Sequence, residues 1–276
     1  MGYGVELMIN LKGKTVFITG GSSGIGKELS RCFAAEGADL VIAALEREKE
    51  TLESWGETLK STYRINVATL TGDLARPEGP EEIFNKVSEL APRIDVLVNN
   101  AGTIAFGMFH DVSVAAQERV LAVNARAYML LMRYFLPEMI RRDSGYIFNV
   151  SSISAFVPTP RHAVYGATKA FVQSLSEAVQ QEIKDTNVKV FTLNPGYTDT
   201  PLLKGEGFPE KLRFYRFAGK SDPATIAEKG VRAFIRGKSV YIPEPHLWFL
   251  FFVMNRFTPK RMINAITEMM VKGTTS

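Results

Sequence analysis

Short apolar runs alternate along this chain with longer segments in which apolar residues recur at helical spacing. The first run, Thr15–Thr19 (TVFIT), is rich in β-branched residues. It leads through a glycine-rich turn into a segment where Leu29, Cys32 and Phe33 repeat with helical period until Gly37 ends the predicted helix. The next unit repeats this order, because ADLVIAA at 38–44 predicts a second strand and the charged segment 46–60 predicts a second helix.

Further apolar runs continue the alternation toward residue 243. They are VATLTGD at 67–73, DVLVNNAG at 95–102, GYIFNVSS at 145–152, VKVFTLNPG at 188–196 and, as a candidate edge strand, SVYIP at 239–243. Strands that are apolar nearly throughout and are separated by helices are typical of a parallel sheet covered on both faces. The pattern therefore predicts an α/β fold of the Rossmann type, with a doubly wound parallel sheet in a single domain.

The composition fits one globular domain and narrows its partners. The 276 residues are 46% hydrophobic and 22% charged, and no linker-like stretch divides them. The formal charge of +4 is not clustered into Lys/Arg runs, so a nucleic-acid surface is not indicated. A single cysteine, Cys32, cannot form an internal disulfide, and the first 14 residues lack the apolar core of a secretion signal. These features predict a cytoplasmic protein with Cys32 in its core.

The turn TGGSSGIG at 19–26 stands between the first predicted strand and the first predicted helix. Glycines there permit a tight turn and close approach of the backbone to a pyrophosphate, to which the helix N-terminus presents N–H groups. Such turns also occur for packing reasons alone. Their position in the first strand–helix unit favours a dinucleotide site.

A second candidate for chemistry is the pair Tyr165 and Lys169 in YGATK, thirteen residues after Ser152. Four residues make about one helical turn, so the lysine can lie beside the tyrosine. A tyrosine hydroxyl has a reference pKa of about 10, and a neighbouring ammonium would stabilise its phenolate. The small residues between the two leave room for a flat ring. Tyr165 is therefore the predicted proton donor.

Seven motifs share an order and spacing along the chain: TGGSSGIG at 19, GDL at 72, NNAG at 99, VN at 123, NVSS ending at Ser152, YGATK at 165 and NPGYTDT at 194. On these motifs the chain resembles the short-chain dehydrogenase/reductase family from about residue 14 to 243. The resemblance implies that Tyr165 is the catalytic acid/base and that Lys169 lowers its pKa and binds the ribose of the cofactor. It also implies that Ser152 polarises the carbonyl and that Asn124 holds a water of a proton relay.

The same resemblance implies a set of cofactor-binding positions along the chain. They are Thr19, Gly20, Ser22, Ser23, Gly24, Ile25 and Gly26 in the phosphate turn, Asp73 and Leu74 at the adenine, Asn99, Ala101 and Gly102 along the adenosine ribose, Tyr165 and Lys169, and Pro195, Gly196, Thr198 and Thr200 after the sixth strand. Structural roles remain the alternative for some of them. Asn99 and Asn100 can stabilise the sheet, Asp73 can cap a helix, and the Pro-Gly pair makes a turn in any fold.

The resemblance favours NADP(H) over NAD(H). The carboxylate that normally receives the ribose 2′-hydroxyl at the end of the second strand is replaced by Ala44. The basic residues that often accompany NADP are also missing, because Leu45 and Ser23 stand at those positions. Arg47 or Lys49 can reach a 2′-phosphate, and Glu46 can instead reach the ribose. Reduction is the direction that NADPH would favour.

Apolar residues near the site predict a hydrophobic substrate, such as a 3-oxoacyl, steroid-like or lipid-like carbonyl compound. Ile153, Phe156 and Val157 flank Ser152, and a variable lid is expected at 201–220. The apolar residues of the lid are Phe208, Leu212, Phe214, Tyr215 and Phe217. Such a lid can close over a lipophilic carbonyl and exclude water. Packing of these side chains onto the core is the alternative.

The three histidines and the single cysteine add no metal site, because no His/Cys/Asp cluster has ligand spacing. His110 and His162 could border the substrate cleft, but a lone histidine in a loop is usually a polar surface residue. No metal is predicted.

The predicted domain spans 1–276, with the core at 14–243, the lid at 201–220 and an apolar C-terminal extension at 244–276. The run at 247–254 is eight residues long, far short of the roughly 20 that span a bilayer. Together with Arg256, Lys260 and Arg261, it can contact a membrane surface through 247–261, cover an oligomer partner or pack on the core. The resemblance favours a homo-dimer or tetramer.

Three functions stay open at this point. The favoured one is NADPH-dependent reduction of a ketone or aldehyde on a hydrophobic small molecule. An NAD-dependent alcohol dehydrogenase of the same family is the first alternative, and a non-catalytic dinucleotide sensor or scaffold is the second. Asn124, Ser152, Tyr165 and Lys169 are all present, which disfavours the scaffold.

Overall fold

The computed structural model describes residues 8–204, 208, 219–253 and 257–271. Seven parallel strands form one sheet in the order β3-β2-β1-β4-β5-β6-β7. The strands are β1 (Thr15–Thr19), β2 (Asp39–Ala44), β3 (Val67–Thr71), β4 (Val96–Asn99), β5 (Gly145–Val150), β6 (Val188–Leu193) and β7 (Val240–Tyr241). The doubly wound, single-domain fold predicted from the sequence is confirmed, and the segment near Ser239 supplies the edge strand.

Helices lie on both faces of the sheet. They are α1 (Gly24–Ala35), α2 (Lys49–Tyr63), α3 (Gly79–Leu90), α4 (Val114–Leu121), α5 (Ala127–Arg141), α6 (Ala163–Glu182) and α7 (Pro223–Ile235), followed by the short α8 (Pro245–Leu247) and by α9 (Lys260–Val271). A π-helical turn, Ala122–Arg126, joins α4 to α5, and another, Trp248–Val253, follows α8. None of the helices within the described ranges has the length and apolar character that crossing a bilayer requires.

Strand alternation divides the core into two layers. Val16 and Ile18 of β1 face the layer that contains Phe33, whereas Phe17 between them faces the opposite layer with Phe135. The first layer also holds Cys32, as predicted, and burial raises the pKa of its thiol to about 11. Both faces of the sheet are therefore buried, which is why its strands are apolar at consecutive positions.

The order of the strands reverses between β1 and β4, which lie side by side although three helices and two strands separate them along the chain. In open parallel sheets such a reversal opens a crevice at the carboxyl ends of the strands. The loops after β1, β4, β5 and β6 all end at this crevice, and a third apolar cluster, described below, closes one end of it.

Candidate active site

A cavity of about 420 Å³ occupies the crevice at the carboxyl ends of the strands. Most site residues predicted from the sequence line it: Thr19, Gly20, Ser22, Ser23, Gly24, Ile25, Gly26, Asp73, Leu74, Ala101, Gly102, Ser152, Tyr165, Lys169, Pro195, Gly196, Thr198 and Thr200. The predicted residues Asn99 and Asn124 are fully buried instead and do not line it.

The glycine-rich turn after β1 brings backbone close to the cavity. A Cβ atom on Gly26 would lie 2.1 Å from the carbonyl oxygen of Gly20 and 2.3 Å from Nδ2 of Asn100, so the turn excludes any side chain there. Gly20 and Gly24 have φ of 69° and 54°, in the left-handed region that favours glycine. Ser23 makes no side-chain cap to the first turn of α1. The N–H groups of that turn are thus not capped by the side chain of Ser23.

Two neighbouring asparagines at the end of β4, Asn99 and Asn100, make different contacts. Asn99 donates from Nδ2 to Oδ1 of Asn149, its register partner on β5, at 2.9 Å. Asn100 donates from Nδ2 to the carbonyl oxygens of Thr19 and Gly20, at 2.9 and 3.1 Å, and lines the cavity. The side chain of Asn99 thus has the sheet-stabilising contact that the sequence left as an alternative, and Asn100 lies at the cavity wall.

The carboxylate of Asp73 accepts a hydrogen bond within its own turn and also forms an ion pair. Its Oδ1 accepts from the N–H of Ala75 at 2.9 Å, and its carboxylate lies 3.1 and 3.2 Å from the two terminal nitrogens of Arg119. Burial alone would raise the pKa of Asp73, but these two partners, helped by the charge of Arg47, lower it. The carboxylate is therefore ionised and fixed at the cavity edge.

Three side chains predicted to act on the substrate meet at one wall of the cavity. Ser152 follows β5, and its Oγ accepts from the N–H of Ser154 at 3.1 Å. Tyr165 lies in the first turn of α6 and is hydrogen-bonded to Ser152. One turn later, the buried Lys169 donates from Nζ to the carbonyl oxygen of Val150 at 2.9 Å, with Nζ 5.6 Å from the centre of the Tyr165 ring.

Burial governs the protonation states of Tyr165 and Lys169. It raises the pKa of Tyr165 to about 12, against the smaller lowering effect of the hydrogen bond with Ser152, and it lowers the pKa of Lys169 to about 7. The sequence leads us to expect that Lys169 lowers the pKa of Tyr165, but the protein without cofactor does not show this. Desolvation there disfavours the phenolate and the ammonium alike. Tyr165 is protonated at neutral pH, which is the form that a proton donor needs.

Asn124 lies in the π-helical turn between α4 and α5. Its Oδ1 accepts from the N–H of Thr103 at 2.9 Å, and its Nδ2 donates to the carbonyl oxygen of Thr103 at 2.8 Å and to Oγ1 of Thr168 at 3.4 Å. π-Helical turns of this kind are frequent at functional sites. Asn124 therefore links the loop after β4 to α6 from behind the cavity wall, rather than from inside it.

The end of β2 carries the groups that bear on the choice of dinucleotide. Ala44, Arg47 and Glu48 line the cavity, and Glu48 accepts a hydrogen bond from Oγ of Ser22 at 3.0 Å. Glu46, the predicted alternative ribose ligand, instead accepts from Oγ1 of Thr71 and does not line the cavity. Lys49 does not line it either.

Glu244 is a residue of the site that the sequence reasoning missed. Both of its carboxylate oxygens accept from the N–H of Gly196, at 3.3 Å, and one accepts from Oγ of Ser221 at 2.8 Å. The carboxylate thereby fixes the Pro-Gly turn after β6. The sequence offered only an acidic residue within the largely apolar segment YIPEPHL, and its burial comes from these tertiary contacts.

An apolar cluster closes one end of the cavity. Its buried members are Ile153, Leu203, Phe208, Ile242, Leu247 and Phe251, and Ile104, Phe106, Phe156, Val157 and Tyr197 pack against it. Phe208 of the predicted lid lies 5.0 Å from Phe106, centroid to centroid. The other apolar lid residues, Leu212, Phe214, Tyr215 and Phe217, lie outside the described residues. Leu247 and Phe251 of the C-terminal extension therefore pack behind this end of the cavity, which Ile153 and Leu203 line.

Of the two histidines that could border the cleft, His162 does line the cavity and is not a surface residue, whereas His110 is exposed. The ring of His162 is buried, lines the cavity and stacks on Phe106 at 5.8 Å and 17°. Burial lowers its pKa to about 4, so the imidazole is neutral at physiological pH. Within the ranges that the structure describes, no three His, Cys, Asp or Glu side chains are grouped to hold a metal ion.

Comparison with known proteins connects this geometry to a family. The family model of short chain dehydrogenases matches residues 14–209. An uncharacterised oxidoreductase of Staphylococcus saprophyticus is 30% identical over 237 residues, covering 86% of this chain and 97% of that protein.

Two solved structures are similar over nearly their whole length. A short-chain dehydrogenase from Sphingobium yanoikuyae in complex with NADPH has a TM-score of 0.80 and 27% identity, covering 95% of this chain and 98% of that one. A bulky-bulky ketone specific alcohol dehydrogenase from Comamonas testosteroni has a TM-score of 0.74 and 25% identity, covering 97% of both chains.

Proposed function

The chain belongs to the short-chain dehydrogenase/reductase family and is an NAD(P)-dependent oxidoreductase, and we propose that it uses NADPH to reduce a ketone or aldehyde on a hydrophobic small molecule. The observation that carries this proposal is the placement of Ser152, Tyr165 and Lys169 on one cavity with the glycine-rich turn. The close approach of backbone at Gly26, where a Cβ would collide, suits the pyrophosphate of a dinucleotide.

The proposed roles follow from the chemistry of carbonyl reduction. A bound nicotinamide supplies the hydride, and the protein supplies geometry and protons. As charge develops on the carbonyl oxygen, Tyr165 gives it the proton of its hydroxyl, and Oγ of Ser152 donates a hydrogen bond to the same oxygen. Lys169 holds a positive charge next to Tyr165 when it is protonated. Asn124 acts as a positioning residue, because it holds Thr103 and Thr168 in place.

Preference for NADPH is supported by the side chains at the end of β2. Ala44 offers no carboxylate to repel a 2′-phosphate, Arg47 lines the cavity, and Glu46 is engaged by Thr71. One observation favours the NAD-dependent alternative, since Glu48 also lines the cavity. Its hydrogen bond from Ser22 ties that carboxylate to the phosphate turn, which is why NADPH is the first choice.

A hydrophobic substrate is supported by the apolar cluster around Ile153, Leu203 and Phe208. These side chains offer dispersion and burial, and few polar groups, to whatever part of the substrate lies beyond the reacting carbonyl. The similar enzyme from Comamonas testosteroni is described as specific for bulky-bulky ketones. Lipophilic ketones are therefore the first compounds to test, with 3-oxoacyl, steroid-like and long-chain members.

The extension after residue 244 is proposed to contact another surface, and a second copy of this chain is the first candidate. Phe257 is 83% exposed, Phe249 is 54% exposed, and both belong to a segment whose Leu247 and Phe251 are anchored in the apolar cluster. A lipid surface is the alternative, because Lys260 and Arg261 follow these side chains. Light scattering of the pure protein and cosedimentation with anionic vesicles at two salt concentrations separate the two.

The experiment that tests the proposed function is a side-by-side titration with NADPH and NADH at one salt concentration, followed by a screen of lipophilic ketones for NADPH consumption. We expect tighter binding of NADPH. Replacing Arg47 by Ala should weaken NADPH binding roughly tenfold, which corresponds to about 1.4 kcal/mol, and should change NADH binding little. Lys49→Ala is the matched control, since Lys49 does not line the cavity. Tighter binding of NADH would support the alternative, and binding of neither dinucleotide would support the scaffold.

A further inference from the structure

The loop at 196–200, which follows β6, brings two buried threonines to the cavity. Thr198 and Thr200 both line it. Thr200 lies against the glycine-rich turn, because a Cβ atom on Gly24 would be 3.1 Å from its Cβ and from its Cγ2. The position of this loop therefore determines how wide the cavity is beside the glycine-rich turn.

Ser221 holds the loop after β6 through its backbone. Its N–H donates to the carbonyl oxygen of Tyr197 at 2.8 Å, and its carbonyl oxygen accepts from the N–H of Asp199 at 2.9 Å. These two hydrogen bonds form a parallel bridge with Thr198, which lies between their partners. The hydroxyl of Thr198 donates in turn to the carbonyl oxygen of Gly196 at 3.1 Å. A shift of Ser221 is therefore passed to a threonine that lines the cavity.

A single buried carboxylate, that of Glu244, joins Ser221 to the start of the loop. Its Oε1 accepts from Oγ of Ser221 at 2.8 Å and from the N–H of Gly196 at 3.3 Å, and its Oε2 accepts from the same N–H. A Cβ atom on Gly196 would lie 2.6 Å from Cδ1 of Leu247 and 3.1 Å from Oε1 of Glu244, so the chain around Glu244 packs directly on the turn. Neither Glu244 nor Ser221 lines the cavity. Their effect on a bound ligand therefore has to pass through the loop.

The end of β6 is anchored independently of Glu244. The N–H of Asn194 donates to the carbonyl oxygen of Tyr241 at 2.8 Å, and the carbonyl oxygen of Pro195 accepts from the N–H of Ile153 at 3.1 Å. Loss of the Glu244 carboxylate should therefore leave the strand and the catalytic wall in place and act on the loop.

We propose that Glu244 is a positioning residue for dinucleotide binding. Its carboxylate holds Gly196 and Ser221 in one arrangement and thereby keeps Thr198 and Thr200 at the cavity wall. The inference rests on the dinucleotide site of the proposed function and applies to NADPH and NADH alike. Without the carboxylate the loop can adopt further arrangements, and a dinucleotide binds only the fraction of molecules in which both threonines are in place. The apparent dissociation constant rises by the inverse of that fraction.

The test compares variants of the full-length protein. Glu244→Ala removes both contacts, whereas Glu244→Gln keeps one acceptor oxygen, which can take the place of Oε1 and serve both Gly196 and Ser221. Ser221→Ala removes one hydroxyl and keeps the backbone bridge. Asp222→Ala is the matched control. That exposed carboxylate lies one residue further on, caps α7 by accepting from the N–H of Thr225 at 2.9 Å, and does not line the cavity.

We measure the dissociation constants of NADPH and NADH by fluorescence titration, at a temperature at which thermal unfolding shows the variants to be folded. Glu244→Ala should weaken binding of the preferred dinucleotide about tenfold, which corresponds to a loop that is in place in about one molecule in ten. Glu244→Gln should remain within about threefold of the unmodified protein, and Ser221→Ala should weaken binding about threefold. Asp222→Ala should lower the Tm and bind normally, because it removes a helix cap and leaves the loop as it is.

Three results would overturn the inference. They are an unchanged dissociation constant in Glu244→Ala, equal weakening in Asp222→Ala, and a Glu244→Gln variant that binds as weakly as Glu244→Ala. If Glu244→Ala does not fold, Ser221→Ala decides in its place, and normal binding by that variant overturns the inference.

The proposed function and this inference fail in different ways. If the unmodified protein prefers NADH and Glu244→Ala still weakens binding, the preference for NADPH is refuted and the inference stands. If NADPH binds more tightly and Glu244→Ala leaves its binding unchanged, the inference alone is refuted. Binding of neither dinucleotide by the unmodified protein refutes both.

Discussion

Replacement of Tyr165 by Phe removes one hydroxyl and keeps the ring. The deleted group forms a hydrogen bond with Ser152, whose Oγ remains paired with the N–H of Ser154 at 3.1 Å. Because no partner is left unsatisfied, the free energy of unfolding should fall by only about 1 kcal/mol. For a protein of this size that corresponds to a fall in Tm of about 2–4 °C.

Turnover should respond far more strongly than stability. Without the hydroxyl the proposed proton donor is missing, and Ser152, whose hydroxyl has a much higher pKa than a phenol, can only donate a hydrogen bond to the developing alkoxide. Loss of general acid catalysis costs at least about 100-fold in kcat, equivalent to roughly 2.7 kcal/mol. Binding of NADPH should persist. The assay is single-turnover NADPH oxidation with the best ketone of the screen, alongside cofactor titration and thermal unfolding.

Tyr128→Phe is the matched control for this experiment. Its hydroxyl is also buried and donates to the carbonyl oxygen of Val150 at 3.3 Å, an acceptor that Lys169 also satisfies at 2.9 Å. Tyr128 does not line the cavity, so the variant should lose a similar amount of stability and keep its turnover. Near-normal turnover in Tyr165→Phe, or equal losses in the two variants, would refute the assignment of Tyr165 as the acid.

Two further predictions concern the lysine and the phosphate turn. The pKa of Lys169 is about 7 in the folded state and 10.5 in the unfolded state, so between these values the unfolded chain binds one more proton. In the protein without cofactor, the free energy of unfolding should therefore rise by about 1.4 kcal/mol per pH unit over this range. Urea unfolding of Lys169→Met should lack this rise, and an equal slope in both proteins would contradict the burial argument. Gly26→Ala should weaken dinucleotide binding at least tenfold, because the added Cβ would lie 2.1 Å from a carbonyl oxygen. Gly13→Ala adds the same atom to open space at a φ of 71°, so it should lower stability but bind the dinucleotide normally in the same titration.

The sheet could be predicted from the sequence because burial on both faces leaves a direct signal. Consecutive apolar residues such as Val16, Phe17 and Ile18 fit a strand between two helix layers, and these three do divide between the two core layers. The glycine-rich turn could also be predicted from the sequence. Its residues act through the backbone of a single local segment, so their spacing carries the geometry.

Side-chain direction at the ends of elements was harder to predict. Asn99 and Asn100 are adjacent and chemically identical, and which of them faces the cavity depends on the residue at which β4 ends. Asn99 is still in register with Asn149, so its amide stays in the sheet, and the chain turns only after it. Strand boundaries are the least certain part of a sequence-based assignment, and a shift by one residue exchanges the two faces.

Long-range contacts explain the two buried polar residues that the sequence did not reveal. His162 is buried because Phe106, more than fifty positions earlier, stacks on it, and Glu244 is buried because the turn at Gly196 and the hydroxyl of Ser221 are brought to its carboxylate. Neither contact follows from local periodicity. Both residues looked like ordinary polar positions in loops until the tertiary structure enclosed them.

The residues that line the cavity lie between Thr19 and Leu203, whereas the apolar cluster at one end of it also includes residues from beyond position 209. Ser152, Tyr165 and Lys169 all fall within residues 14–209, the part that matches the family model. Leu247 and Phe251 lie beyond this part and pack behind the apolar end of the cavity, in one cluster with residues of the 201–220 segment. A change in the extension can therefore reshape the substrate end of the cavity while the hydride and proton steps keep their geometry. Family membership thus supports an oxidoreductase, whereas the substrate has to be found through the apolar residues at this end of the cavity.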